Sequence, residues 1–293
     1  MTSVMLQPEV SRVTDSASGT AGVKSLLLHI QDDDGLEARL QVALALARAA
    51  GGHLHCLQAT PMNVFGGVEF VGGGYFMADI IKQLEVQEAA LRARIEAQLA
   101  NEDVAWSYEL QSTLPGQALV DAGALADLIV MGRFVHRQSI AGRPESMLGD
   151  VLQASHTPLL ICAKEQTGFD PFGPAVVAWN GSFEAANALR AALPILRQAS
   201  AVHIVTIDDD KHYDFPPLGA SEFLSRHDVG SELVSVSKGT HSVADTIVKT
   251  AQELGASYMV MGAYGHSRAS EFLFGGVTRS LLKDCPIPIV AAR

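Results

Sequence analysis

The chain has 293 residues, 48% of them hydrophobic, with 21 Lys+Arg against 32 Asp+Glu, a formal net charge of −11 and a pI near 5.3. That length predicts about two domains, at ~150 residues each, and the apolar content with 26 glycines fits a globular α/β protein rather than a disordered one. The acidic balance excludes a general attraction to nucleic acid or to an anionic membrane, and no run approaches the ~20 apolar residues of a membrane helix.

Residues 1–20 are rich in Ser and Thr without sustained periodicity and read as a mobile tail. They lack the basic and continuous apolar regions of a secretory leader. Strands are predicted at 23–30, 53–57, 105–110, 127–131 and 159–163, alternating with helices at 36–50, 79–99, 116–124 and 148–154. Residues 60–78 interrupt this order: Gly66, Gly67, Gly72, Gly73 and Gly74 lie among Phe65, Phe70, Tyr75 and Phe76. A long aromatic, glycine-rich insertion reads either as a lid or partner surface or as a loop tip. Helix 79–99 follows, with Ile80, Leu84, Leu91 and Ile95 at helical spacing. Residues 132–147 are expected to form a loop.

Gly168, Pro171, Gly173 and Pro174 mark a linker, after which the pattern starts again. Strands are predicted at 175–179, 202–207, 232–236, 258–261 and 287–291, and helices at 184–197, 218–226, 241–254 and 277–283. The resulting division is a tail at 1–20, a first domain at 21–166, a linker at 167–174 and a second domain at 175–293. Cys56, Cys162 and Cys285 are isolated, with nothing like Cys-x2-Cys, and read as buried thiols in a reducing compartment. A soluble cytoplasmic protein is expected.

The halves are copies. Ala126 to His136 matches Ala256 to His266 at an offset of 130, and the same offset places Pro158 on Pro288. Earlier, Arg48 pairs with Arg197 at an offset of 149, so the first half carries 19 extra residues, for most of which insertion 60–78 accounts. Strands alternating with helices require mainly parallel sheets with right-handed crossovers.

The candidate functional stretch follows the apolar run 258–261. Gly262, Gly265, Gly275 and Gly276 sit between that strand and the helix at 277–283, in the spacing Gly-x2-Gly-x9-Gly. A strand, a glycine loop and a helix start form a place where backbone N–H groups can face an anion, and glycines let the backbone approach a phosphate closely. The spacing matches neither the P-loop nor the Gly-x-Gly-x2-Gly fingerprint.

Gly262-Ala-Tyr-Gly265-His-Ser-Arg, followed by Gly275-Gly276-Val-Thr278-Arg, resembles the C-terminal signature of the universal stress proteins. The resemblance is strong in the second half and weak in the first. It implies two flavodoxin-like (adenine nucleotide alpha hydrolase-like) doubly wound α/β domains with mainly parallel five-stranded sheets, packed as an internal pseudo-dimer through their last strands, bordered here by Pro158, Pro286 and Pro288. It also implies a stress-response regulatory protein binding ATP or AMP in the second domain, with Mg²⁺ admitted and no cofactor essential. Asn180, Gly181 and Ser182 would contact adenosine, Val205 and Thr206 would flank adenine, and Met261, Gly262, Gly265, His266, Gly275, Gly276, Val277 and Thr278 would face ribose and phosphates. Asn180 stands where family members more usually have Asp, and Gly276 where Ser or Thr is usual.

The first half lacks this equipment. The 130 offset puts Val135 on Gly265, Glu145 on Gly275 and Ser146 on Gly276. Asp32, Asp33 and Asp34 add negative charge at the corresponding edge, which disfavours a polyphosphate. One nucleotide site is therefore expected, in the second half. Other candidates read as structural: His53 and His55 as two satisfied histidines rather than a metal pair, and Asp208, Asp209, Asp210 and His212 as a solvated turn. No catalytic residue or metal-ligand set is legible. A slow adenine-nucleotide hydrolase and a nucleotide-free interaction module stand as alternatives, an unidentified protein partner and a homodimer being compatible with each.

Overall fold

The computed structural model describes residues 22–60, 74–133, 137–138, 144–145, 147–163, 169–208, 214–263 and 276–293. The first half runs β1 (Ser25–Ile30), α1 (Leu36–Ala50), β2 (His53–Ala59), α2 (Gly74–Leu99), β3 (Ala105–Gln111), α3 (Pro115–Gly123), β4 (Leu128–Gly132), a short hairpin of β5 (Arg137–Gln138) and β6 (Pro144–Glu145), α4 (Met147–Ala154) and β7 (Leu159–Cys162). The second runs β8 (Ala175–Ala178), α5 (Phe183–Ala191), α6 (Leu193–Leu196), β9 (Val202–Asp208), α7 (Pro217–Ser225), β10 (Glu232–Ser237), α8 (Val243–Glu253), β11 (Tyr258–Gly262), α9 (Gly276–Asp284) and β12 (Ile289–Ala292).

The strands form one ten-stranded sheet in the order β10-β9-β8-β11-β12-β7-β4-β1-β2-β3. Within each half every pairing in this ten-stranded sheet is parallel. The halves meet where β12 pairs antiparallel with β7, Ile289 opposite Ile161 and Ala291 opposite Leu159. The strand apolar runs are continuous because helices cover both sheet faces. Leu26, Leu28, Leu160, Val290 and Val260 pack under α1, α2, α5, α6 and α7. Leu27, Ile129, Ile161, Ile289 and Met259 pack under α3, α4, α8 and α9. Each of these two cores spans both halves.

The internal repeat is visible in the backbone bonds. Ile129 N–H donates to Pro158 O at 3.0 Å, and Met259 N–H donates to Pro288 O at 2.9 Å. The segment 169–174 is packed rather than free: Ser200 N–H donates to Phe172 O at 2.7 Å, and the Phe169 ring lies 6.0 Å from that of Tyr258.

Three elements differ from expectation. The helix expected at 184–197 divides at Ala192, because Pro194 lacks an N–H and its ring crowds the carbonyl four residues back. The loop expected at 132–147 contains the β5–β6 hairpin. The long helix begins at Gly74 rather than residue 79, so α2 has 26 residues against nine in its counterpart α7. Part of the expected insertion is thus helical, and residues 61–73 lie outside the described residues.

The three cysteines are free and buried. Burial pushes the Cys56 and Cys162 thiols up to about 12. No helix among the described residues is long and apolar enough to cross a membrane.

Because the cores are shared, Leu160→Ala at the joint is expected to lower stability by about 2–4 kcal/mol. Trp106 in the first half and Trp179 in the second should report one coincident urea transition in the parent protein; separate transitions would show that the halves unfold independently.

Candidate functional site

In sheets wound both ways, ligands sit beyond the carboxyl ends of the strands, where the strand order reverses. In the second half that point lies between β8 and β11. The antiparallel joint turns the carboxyl edges of the two halves to opposite ends of the sheet. Arg133, just past β4, donates to Ile287 O at 3.1 Å, beside the start of β12; Arg293, just past β12, donates to Gln153 O in α4 at 2.9 Å.

At the second-half edge, Gly181 takes a φ of 70°, which glycine adopts without a steric penalty. This turn lets Ser182 cap α5, its Oγ accepting from Ala185 N–H at 3.2 Å. Asn180 is exposed, and its side-chain oxygen accepts from Ser182 N–H at 3.2 Å and Ser182 Oγ–H at 2.8 Å. The acceptor that the sequence assigns to a ligand is therefore already used within the turn, leaving the side-chain amide N–H₂ as the group that can turn outward.

The segment before α7 folds back over this turn. Phe215 N–H donates to Gly181 O at 3.0 Å, Trp179 Nε1–H donates to Phe215 O at 3.0 Å, and the Phe215 ring meets Phe183 edge-on at 4.8 Å. Val205 and Met261 are buried among the core side chains beneath α8 and α9, and Thr206 is 6% exposed at the end of β9. These three form the floor of the edge rather than an open wall.

Gly262 ends β11 against the start of α5. A Cβ there would lie 2.5 Å from Ala185 N and from Glu184 C, so this glycine is required by packing. Gly276 begins α9, and among the described residues no atom lies within 4 Å of a Cβ added there. Val277 is exposed and Thr278 half-buried in the first turn of α9, which holds no acidic residue. Gly265, His266 and Gly275 lie outside the described residues. The described members thus gather at one edge, from the β8–α5 turn, the end of β9, the end of β11 and the start of α9.

The first-half edge is built differently. Asp33 holds the buried Arg39 through a two-pronged pair, at 2.8 and 3.2 Å, and Asp32 pairs with Arg94 of α2 at 2.6 Å. The repulsion expected from the Asp32–Asp34 run is therefore largely offset by arginines that sequence spacing does not bring together. His29, at the end of β1, is held neutral, its pKa lowered to about 3 by burial and by the Arg39 charge. His53 meets Ser107 Oγ at 2.9 Å and His55 meets Glu109 at 3.1 Å, both on β3. Among the described residues no group of three or more His, Cys, Asp or Glu could hold a metal ion.

Sequence reading missed a cavity of about 990 Å³ at this first-half edge, bounded by the ends of β1 and β2, by α2 and by the start of α3. Its signal was the helical spacing of Ile80 and Leu84. That apolar stripe runs from half-buried Ile80 and Leu84 to Leu91, from which α2 becomes buried.

Two parallel five-stranded α/β halves, joined antiparallel with their carboxyl edges opposed, make up the sheet. Residues 171–293 match the family model described as universal stress protein family. That match makes residues 171–293 similar in sequence to the family, and the likenesses to solved structures that follow extend to the fold of both halves. A universal stress protein from Archaeoglobus fulgidus DSM 4304 has a TM-score of 0.63 at 15% identity, covering 93% of this chain and 98% of that one. A Pseudomonas aeruginosa UCBPP-PA14 protein described as a universal stress protein has a TM-score of 0.54 at 16% identity, covering 93% and 94%. A functionally unknown protein from Pseudomonas aeruginosa PAO1 has a TM-score of 0.53 at 16% identity, covering 93% of both chains. No curated protein matches the chain in sequence.

Gly262→Ala is expected to cost about 1–3 kcal/mol through the clash with α5, while Gly276→Ala should leave the unfolding midpoint within error; chemical denaturation distinguishes the two. His29 contributes stability that is complete above its ordinary value of 6.5 and is lost as pH falls toward about 3. His29→Leu should flatten the pH dependence of unfolding across that window, removing a term on the order of 4 kcal/mol.

Proposed function

We propose that the protein is a stress-response regulatory protein that binds one adenine nucleotide, ATP or AMP, at the second-half edge. The observation that carries this reading is the glycine series Gly262, Gly265, Gly275, strung between the end of β11 and the start of α9. A helix start supplies unpaired N–H groups and the positive end of the helix dipole to phosphate. Among the described residues no atom lies within 4 Å of a Cβ added at Gly276, which is compatible with an oxygen-rich ligand at that start. Asn180, Gly181 and Ser182 would border the nucleoside, Val205, Thr206 and Met261 would underlie the base, and Gly265, His266, Gly275, Gly276, Val277 and Thr278 would face ribose and phosphates. Mg²⁺ would then enter with the nucleotide phosphates rather than through a protein ligand set.

A second reading, a nucleotide-free interaction module, draws support from Phe215 seated on the Asn180–Ser182 turn and from the engaged Asn180 acceptor. Calorimetry with ATP and AMP separates the two. The nucleotide reading expects one site per chain, loss of binding in Gly265→Val, and about tenfold tighter ATP in Gly276→Ser, from one added hydrogen bond to a charged group. No binding by the parent and no gain in Gly276→Ser would favour the interaction module. Two nucleotides per chain would overturn the assignment to one half.

A further inference from the structure

We propose that Phe183 is a specificity-determining residue of the second-half edge: its ring, braced by Phe215, stacks on the base of the bound nucleotide and favours purines over pyrimidines. This role rests on the nucleotide reading of that edge and gives it a recognition element outside the glycine series. Three helices begin at the edge, and each carries an exposed apolar side chain in its first two positions. Phe183 opens α5, Leu218 is second in α7 and Val277 is second in α9. Apolar groups left in water at three helix starts around one strand edge offer area for a ligand to cover. In the first half, by contrast, Leu36 opens α1 and is buried. Of the three exposed side chains only Phe183 is a flat ring, and it is 61% exposed.

Two features direct that ring toward the ligand edge. Side chains on a helix tilt toward its N-terminus, so the first residue of α5 leans back over the Asn180–Ser182 turn, which borders the nucleoside in the nucleotide reading. Phe215 then holds it there. The Phe215 backbone is fastened to the turn twice, its N–H donating to Gly181 O at 3.0 Å and its O accepting from Trp179 Nε1–H at 3.0 Å. Its ring is half-buried against the core and meets the Phe183 ring at 4.8 Å and 80°. An edge-to-face pair of this kind orients Phe183 while leaving most of its ring exposed, so less side-chain freedom remains to be lost on binding. Beside the ring, exposed Asn180 has its side-chain oxygen committed to Ser182 and offers its amide N–H₂. A ring face next to an amide donor suits a heteroaromatic base, which presents a π-face and acceptor nitrogens. Stacking tolerates every base, but the two-ring purines offer the larger face.

Calorimetry of the full chain with ATP and UTP tests this. The parent should bind ATP more tightly than UTP. Phe183→Ala should weaken ATP about tenfold, the scale of one stacked base, and narrow the preference over UTP. Phe183→Tyr keeps the ring and should stay within about threefold of the parent, whereas Phe183→Leu, apolar but not flat, should follow Phe183→Ala. In Phe183→Trp, ATP should quench indole fluorescence beyond any response of Trp106 and Trp179 in the parent chain. Because the position is exposed, the variants should unfold at the parent's midpoint, which separates lost stacking from lost structure. ATP binding in Phe183→Ala equal to the parent's would overturn the role of Phe183 and leave the nucleotide reading intact. So would equal binding by Phe183→Leu and the parent, since apolar cover alone would then suffice. No ATP binding by the parent would overturn both.

Discussion

The antiparallel pairing of β7 with β12 is the constraint from which the rest of the molecule follows. It joins two parallel sheets into one of ten strands and makes each of the two cores common to both halves. Strand polarity reverses across that seam, so the carboxyl edges of the halves point to opposite ends of the sheet. The two carboxyl edges are thereby kept apart on one sheet with shared cores. Arg133 and Arg293 tie each edge to the opposite half through single backbone carbonyls.

The halves have spent this duplication differently. In the second, α7 has only nine residues, and among the described residues no atom lies within 4 Å of a Cβ added at Gly276, the first residue of α9. In the first, α2 overhangs the strand ends, and Arg39 and Arg94 occupy carboxylates at the edge. Arg39 is buried, and Asp33 is what makes that tolerable, since a buried guanidinium without a partner carries a large desolvation penalty. Burial, and after it the Arg39 charge, hold His29 neutral. Charge that in the sequence reads only as repulsive is, in the fold, part of an internal ion-pair arrangement.

Much of the architecture was legible because the relevant signals are local or periodic. Apolar runs such as 128–131 and 258–261 can be satisfied only as buried strands between helices, and the 130 offset links them as copies. Glycines at 262 and 276 were singled out together, yet packing separates them: Gly262 is pressed against α5, whereas among the described residues nothing lies within 4 Å of a Cβ added at Gly276. The pairing of Asp32 with Arg94 spans 62 positions and has no sequence signature. Nor has the pairing of Gln58 with Tyr108, which depends on the parallel register of β2 and β3. The division of α5 from α6 was readable at Pro194, a local rule that the apolar pattern on either side obscured.

By itself, then, the sequence determined the element order, the duplication, the burial of the strands and the glycine spacing after β11, since each depends on residues close together along the chain. Tertiary structure alone decided which carboxylates pair with Arg39 and Arg94, which glycine is sterically obligatory, and where a cavity opens beneath an overlong helix. Those properties belong to distances between residues far apart in sequence, and only the register of the sheet and the packing of helices upon it set those distances.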